Sequence, residues 1–378
     1  MPLLRVGLTD GACRSGAPLA ARLLALSIAG LLAASCRGPS DADALARFRE
    51  NVESLSEKGG YFDTDNLISN ETAYVQVVGA LEPRGGAYIG VGPEQNFHYI
   101  GRLRPSWAFI IDVRRDNMLH HLLLNAILVQ AETPAQYLCW LFSRRCGDVD
   151  GGSFEEMVEA VEASEPDAVL FEEHLSRIFD HIESRLGMPL NDEERDVVRF
   201  IYQSFFEDQL ALRFHSYGRA PMPYHPSYRG LLLAADGEGN FAHFLAREED
   251  YAHVRELAAT GHLIPVVGDF AGDHALRAIG RFLQEQGVEV TAFYLSNVEF
   301  YLLRSGRFDA FVENVRALPL SDSAELIRAY FSYGYPHPAA LPGHRSTLVR
   351  QKAGNFLRLY DQGAYSSYWD VSALDYEQ

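Results

Sequence analysis

The chain has 378 residues, of which 47% are apolar and 22% are charged, so its composition is that of a globular protein and excludes global disorder. This length allows one large domain or two ordinary ones. The net charge is −18, and because phosphate binding needs clustered Lys and Arg, we expect no nucleic-acid partner.

The first segment, residues 1–36, is typical of a targeting signal. Arg14 and Arg22 precede the apolar run LLALSIAGLLAAS, which is short for a membrane span but suits a secretory signal. Its end, LLAASC, resembles the lipobox of bacterial lipoproteins, which implies that Cys36 is lipidated and anchors the protein to a membrane of the bacterial cell envelope. A cleaved ordinary signal, an uncleaved anchor and a chance apolar start are the alternatives. A start codon further downstream would make the protein cytoplasmic.

The next stretch, residues 37–60, is polar and predicts a tether followed by one surface helix that ends at a Gly-Gly pair. In YFDTDNLISNET, which follows, Ser69 or Asn70 can cap a further helix. The many polar groups of this stretch could close over a pocket. Ordinary capping with an Asx turn is one alternative, and a cation site on Asp63 and Asp65 is another.

Apolar runs and helical patterns alternate along most of the remaining chain. GAYIGVG, SWAFIIDV, HLIPVVGDF and VEVTAFYL predict buried strands, and GLLLAA could be another strand. Helices are predicted between them, for example by RRDNMLHHLLLNAILVQA and GDHALRAIGRFLQEQG. This alternation predicts a Rossmann-like α/β fold over residues 61–378, with a mainly parallel sheet and helices on both faces.

The block from about residue 133 to 215 interrupts this alternation. It combines helical periodicity with many Glu and Asp residues, which predicts a helical insertion with a solvated face and no metal site. Cys139 and Cys146 lie within it and could form a disulfide in an oxidising compartment. Two free thiols are the alternative.

Several histidines and tyrosines are candidates for site residues. His120 and His121 are adjacent on an apolar helix, where side chains point about 100° apart, so we expect one to be packed and one exposed. The Pro- and Tyr-rich loops around His225 and His337 could line the mouth of a substrate site, with rigid loop packing as the alternative.

The glycines of YIGVGP carry the strongest functional signal. Gly90 and Gly92 come at the end of a predicted strand, where a missing Cβ lets a ligand approach the backbone. Asp112 follows about twenty residues later, at the end of the next strand, where a carboxylate can bind two ribose hydroxyls. Asp269 and Asn297 end two later strands. A tight turn with no ligand is the alternative interpretation of the glycines.

In this order of features the chain resembles the class I S-adenosylmethionine-dependent methyltransferases. More narrowly, YFDTDNLISNET, YIGVGPEQNF, DVRRDN, PVVGDFAG and SNVEFYL resemble a bacterial family with a methyltransferase-like fold, over most of residues 61–335. The resemblance implies S-adenosylmethionine as cofactor, and it implies that Asn297 and Tyr301 bind the acceptor as the catalytic pair. The cofactor-binding residues that it implies are Gly90, Gly92, Glu94, Asp112, Gly268, Asp269, Glu71 and Thr72.

Two functions are therefore expected from the sequence. The first is an S-adenosylmethionine-dependent methyltransferase with an unknown small-molecule or protein acceptor. The second is a non-catalytic surface or periplasmic lipoprotein that reuses the fold for binding. The compartment discriminates between them, because S-adenosylmethionine is a cytoplasmic metabolite that an exported protein should not meet.

The lipobox generates the first testable prediction. Replacing Cys36 by Ser should release the protein from membranes into the soluble fraction, because the residue that accepts the lipid is lost. Fractionation and mass spectrometry of the native N-terminus measure this. A mature protein that still contains residues 14–30 would contradict it.

Overall fold

A six-stranded sheet organises the fold in the computed structural model of the protein, which describes residues 41–147, 152–219, 222, 224–332 and 335–377. The strands are β1 (Ala87–Gly90), β2 (Trp107–Asp112), β3 (Leu263–Val267), β4 (Val290–Ser296), β5 (Leu320–Phe331) and β6 (Ser346–Lys352). Their order is β3-β2-β1-β4-β5-β6, with all neighbours parallel except β5 and β6. The predicted Rossmann-like α/β fold with a mainly parallel sheet is confirmed.

Sixteen α-helices surround this sheet within the described ranges. They are α1 (Asp41–Ala46), α2 (Phe48–Leu55), α3 (Val75–Val78), α4 (Asn96–Leu103), α5 (Arg115–Gln130), α6 (Pro134–Leu141), α7 (Phe154–Ala163), α8 (Ala168–Asp180), α9 (Asp192–Asp208), α10 (Tyr228–Leu232), α11 (Glu248–Thr260), α12 (Ala275–Gln286), α13 (Val298–Arg304), α14 (Phe308–Arg316), α15 (Ala353–Asp361) and α16 (Tyr368–Ala373). None of these helices is long and apolar enough to cross a membrane. The signal segment, including Cys36, lies outside the described residues.

The strands form where apolar residues run without interruption. Every residue of β1, β2 and β3 is buried, as expected for central parallel strands that are covered on both faces. In contrast, GLLLAA does not form a strand, because its first three residues belong to helix α10, which Ser227 caps. Strands β5 and β6 were not predicted, because their sequences mix polar and apolar residues.

The N-terminal helices differ from the predicted single surface helix. The segment forms two helices, and α2 buries Phe48, Val52 and Leu55 against β3 and α12. The prediction of a surface helix was wrong, because these three apolar side chains lie on one helical face and cover the sheet.

The block from residue 133 to 215 consists of helices α6 to α9 with short 3₁₀ and π turns and contains no strand among its described residues. Capping boxes at Ser153 and Asn191 start α7 and α9. Cys139 and Cys146 form a disulfide with their Cα atoms 6.0 Å apart, which decides between the two alternatives for this pair.

Helix α5 packs against β2 and β3 and also against α9 and α11, and its residues from Asn117 to Leu128 are buried. His120 and His121 are consequently both buried, each with 2% of its surface exposed. The expectation that one of them is exposed was wrong, because the helical block covers the face that would otherwise meet solvent.

A buried ion pair joins the sheet to the helix that follows β4. Arg328 on β5 donates to both carboxylate oxygens of Glu299 on α13, at 2.7 and 3.2 Å, and to Gln351 on β6 at 2.7 Å. Neither charged side chain is exposed. The pair therefore holds α13, which borders the candidate site described below, against the antiparallel edge of the sheet.

This pair generates a prediction about stability. Replacing Arg328 by Leu should lower the free energy of unfolding by roughly 3–5 kcal/mol, because it leaves the Glu299 carboxylate buried without its cation. The double variant R328L/E299L should recover most of this loss. Urea denaturation of the mature protein measures both, and a double variant as unstable as R328L would contradict the account.

Candidate functional site

A cavity of about 390 Å³ lies where β1 to β4 end at their carboxyl edge, between the two strands β1 and β4 at which the strand order reverses. We call it the central cavity. Its volume is within the range of small-molecule sites. Seven of the ten residues implied by the methyltransferase resemblance line it, namely Glu71, Gly92, Asp112, Gly268, Asp269, Asn297 and Tyr301.

Gly90, the last residue of β1, and Gly92 in the turn after it have different roles. Gly92 has φ +83°, and a Cβ placed there would meet only Asn66, at 3.9 Å, so the cavity is open at this point. The imidazole of His121 donates from Nε2 to the Gly92 carbonyl at 2.8 Å and fixes the turn. A Cβ on Gly90 would lie 1.9 Å from the side chain of Asn96, so Gly90 is required by packing and does not line the cavity.

Asp112 lines the cavity from the end of β2, but Arg114 already binds its carboxylate. Oδ1 accepts from the Arg114 backbone N–H at 2.9 Å and from Nε at 3.0 Å, and Oδ2 accepts from Nη2 at 2.7 Å. One acceptor position remains on Oδ2 for a ligand hydroxyl. Arg114 also donates to the carbonyl oxygens of Thr64 and Asp65, at 3.0 and 2.9 Å, and so ties the polar stretch before β1 to the cavity.

The loop after β3 supplies a further wall. Asp269 accepts from the backbone N–H of Ala271 at 2.8 Å and pairs with Arg307, which also lines the cavity. A Cβ on Gly268 would lie 2.3 Å from the Cβ of Ala275, so this glycine allows α12 to pack closely against the strand end. Gly268 therefore shapes the cavity through helix packing, whereas Gly92 leaves space directly.

Glu71 is the most unusual group of the central cavity, because its carboxylate is buried and has no basic partner among the described residues. It accepts hydrogen bonds from Tyr294 at 2.7 Å, from Gln95 at 3.0 Å and from Ser296. Burial raises the pKa of Glu71 in spite of these hydrogen bonds. Gln95 Oε1 beside it is buried and has no hydrogen-bond partner. Glu71, which lines the cavity, therefore favours a ligand group that is cationic and donates hydrogen bonds.

Asn297 and Tyr301 border the central cavity and also a second cavity of about 360 Å³, which we call the adjoining cavity. Asn297 is the residue at the start of α13, and Tyr301 lies one turn later. The ring of Phe62 contacts the Tyr301 ring edge-on with their centroids 5.0 Å apart, and Phe62 borders both cavities too. These three side chains stand at the boundary between the cavities.

The adjoining cavity is more polar than the central one. Arg219 and Arg345 line it together with Tyr224 and His225. The first of the two Pro- and Tyr-rich loops, around His225, therefore lines the site, which was one of the two alternatives predicted for it. Arg345 lies over the Tyr224 ring at 4.3 Å. Ser332, at the start of the second loop, also lines the adjoining cavity, whereas Tyr335, Pro336 and His337 line neither cavity. His337 is buried and donates from Nε2 to the carbonyl of Ser372.

Two other implied cofactor residues also lie elsewhere. The Thr72 hydroxyl is bonded to His344 Nδ1 at 2.8 Å. Glu94 is buried in a separate cluster, where the hydroxyls of Tyr137 and Tyr228 donate to its carboxylate at 2.5 and 2.7 Å. Neither residue lines the central cavity, so the structure does not support these two assignments. Both side chains turn to partners on distant segments that a local motif cannot show.

Some residues of the site were not predicted. Arg114 and His121 were present in DVRRDN and in the apolar helix, but their roles depend on partners far away in the sequence. Ser296 follows the apolar run of β4 directly, and this position at a strand end is a signal that could have identified it. No group of His, Cys, Asp and Glu residues in the described ranges is arranged to hold a metal ion.

One known protein family covers most of this fold. The family described as Domain of unknown function (DUF7790) matches residues 66–374. The chain belongs to this family. No curated protein matches the sequence. The DUF7790 match covers all six strands of the sheet and both cavities except for the stretch before residue 66.

Glu94 generates a prediction about the pH dependence of the DUF7790 domain. Burial raises the Glu94 pKa from 4.5 to about 7, so the folded protein favours the neutral carboxyl group. The resulting stabilisation is complete below pH 4.5 and is lost as the pH rises to about 7, with a total change of about 3 kcal/mol. The variant E94Q should not lose stability over this pH range, because its amide group does not titrate. Unfolding curves of both proteins between these pH values test the difference, and parallel stability profiles would contradict it.

Proposed function

We propose that the protein binds S-adenosylmethionine in the central cavity and transfers its methyl group to an acceptor in the adjoining cavity. The observation that carries the proposal is the buried Glu71 carboxylate, which faces a cavity at the switch point of the sheet and has no basic partner among the described residues. S-adenosylmethionine carries a sulfonium and an ammonium group, so it supplies the positive charge that this carboxylate lacks.

The residues present fit this cofactor. Glu71 would bind the ammonium group, and the pairing would lower the raised Glu71 pKa. The free acceptor position on Asp112 Oδ2 would take a ribose hydroxyl, and the space at Gly92 would admit the ligand close to the backbone. The volume of about 390 Å³ is adequate for a ligand of this size.

The boundary between the cavities supports a transfer reaction. The cofactor, when bound, supplies an activated methyl group, and the contribution of the chain is to hold an acceptor in line with it. Asn297 and Tyr301 border both cavities and can orient an acceptor by hydrogen bonds, while the apolar ring of Phe62 limits the access of water. Such positioning accounts for much of the rate enhancement when two substrates must meet.

A second function is favoured by the disulfide between Cys139 and Cys146. Disulfides persist in oxidising compartments, which agrees with an envelope lipoprotein anchored through Cys36. In this candidate the protein would reuse the cavities to bind a small ligand without chemistry, because S-adenosylmethionine is not expected outside the cytoplasm. The ion pair between Asp112 and Arg114 also favours this candidate, because Arg114 already occupies most of the acceptor positions that Asp112 would offer to a ribose.

Calorimetric titration tests the proposal. S-adenosylmethionine and S-adenosylhomocysteine, which both carry the ammonium group, should bind in preference to NAD. The variant E71Q should bind them about tenfold or more weakly, since a hydrogen bond to a charged group contributes about 1.5–3 kcal/mol. Methylthioadenosine, which lacks the amino-acid portion, should bind both proteins equally. The matched control is E94Q, which alters a buried carboxylate outside the central cavity and should change no affinity.

The outcomes separate the two candidates. No binding of any of these nucleosides at millimolar concentration by folded protein would contradict the methyltransferase proposal and favour the binding lipoprotein. A preference for NAD would redirect the proposal to redox chemistry. If S-adenosylmethionine binds and E71Q binds it equally well, the cavity is a cofactor site but Glu71 is not its ammonium ligand.

A further inference from the structure

A third cavity, of about 240 Å³, lies apart from the site described above and between α5, α9 and the stretch before β1. We call it the acidic cavity. Three carboxylates line it, from Asp65 on that stretch, Asp116 at the start of α5 and Asp196 on α9. It shares no lining residue with the central or the adjoining cavity.

A buried histidine with an unused nitrogen also lines the acidic cavity. His120 is 2% exposed, and its Nε2 atom has no hydrogen-bond partner. Burial, with smaller contributions from His121 and Arg114, holds the pKa of His120 well below its usual range, so the ring is neutral. In the tautomer that carries the proton on Nδ1, Nε2 is an acceptor that requires a donor from outside the protein.

The carboxylates of this cavity are poorly compensated by basic groups. Asp116 and Asp196 take part in no ion pair among the described residues. Asp65 has His215 Nδ1 at 3.9 Å, and the guanidinium of Arg114, which contacts the Asp65 carbonyl, is bound by Asp112. A ligand in this cavity would therefore meet an excess of negative charge.

The remaining walls are apolar or aromatic. Leu67, Val197 and Ile201 line the cavity, and Phe200 and Tyr217 stand at its edge with 56% and 44% of their surfaces exposed. Desolvation, and then the charges of Asp65 and Asp116, raise the pKa of Tyr217, which lines the cavity together with both carboxylates. Aromatic faces next to carboxylates attract cations with an apolar body.

We propose that the acidic cavity binds a small aliphatic amine through a primary ammonium group. The ammonium donates to His120 Nε2 and to the carboxylates, while the carbon chain packs on the apolar wall. A divalent metal does not fit, since the described residues hold no cluster of ligands arranged for one. A quaternary ammonium has no N–H group for His120 Nε2.

Titration with 1,4-diaminobutane tests this site on the mature protein without any nucleoside. Binding should be detected by calorimetry at up to about 10 mM ligand and should weaken with added salt. The imidazole signals of His120 should shift in a ¹⁵N NMR spectrum as the ligand is added. The neutral 1,4-butanediol should not bind, and tetramethylammonium should bind more weakly than the diamine.

Two exposed carboxylates allow a variant that leaves the core unchanged. The double variant D116N/D196N should bind 1,4-diaminobutane about three- to tenfold more weakly, because two charges near the ligand are removed. The control D273N/D322N, which removes two exposed carboxylates outside the cavity, should bind normally.

The proposal is overturned if folded protein does not bind the diamine, if 1,4-butanediol or tetramethylammonium binds equally well, or if D116N/D196N binds like the control. Displacement of the diamine by millimolar Mg²⁺ at constant ionic strength would also overturn it, in favour of a metal site. None of these results depends on whether the central cavity binds S-adenosylmethionine.

Discussion

The ion pair of Asp112 and Arg114 is the interaction on which the arrangement of the site depends. Arg114 is 6% exposed, and its guanidinium binds the carboxylate at the end of β2 and donates to the carbonyls of Thr64 and Asp65. A buried charge of this kind is stable only when its partners and hydrogen bonds are in place. The pair thus fixes the stretch before β1 above the sheet, and this stretch forms walls of all three cavities.

The distribution of buried charge explains which ligands the protein can accept. Arg328 and Glu299 neutralise each other inside the fold, whereas the buried carboxylates of Glu71 and Glu94 have only neutral hydrogen-bond donors. Burial in a closed core shifts an uncompensated carboxyl group toward its neutral form, as the raised Glu94 pKa indicates. Glu71 borders a cavity, so a cationic ligand can reach its carboxyl group there.

The two functional candidates use the same two cavities and differ in the ligands that are available to them. The central cavity lies next to a more polar cavity with Asn297 and Tyr301 at their boundary, and a transfer between two ligands requires two neighbouring spaces of this kind. The same boundary would let one elongated ligand occupy both spaces in a binding protein. The disulfide bears on which candidate applies, because it depends on the compartment. An oxidising environment that preserves the Cys139–Cys146 bond is separated from cytoplasmic metabolites.

The sequence by itself determined the alternation of strands and helices, since uninterrupted apolar runs such as those of β1 to β4 are a local signal. It also placed Gly92, Asp112, Asp269 and Asn297 at strand ends, and parallel strands necessarily bring such residues to one edge. Strands β5 and β6 escaped prediction because their polar residues, including the buried Arg328, are accommodated by partners elsewhere in the chain.

Only the tertiary structure decided which of these residues share a cavity. Glu94 and Gly90 belong to the same motif as Gly92, yet neither lines the central cavity. The Glu94 carboxylate is bound by Tyr137 and Tyr228, and the space beside Gly90 is occupied by the side chain of Asn96. Tyr137 and Tyr228 lie 43 and 134 residues along the chain from Glu94, so no local pattern encodes the direction of the Glu94 side chain. For the same reason the acidic cavity appears only when Asp65 meets α5 and α9 in space.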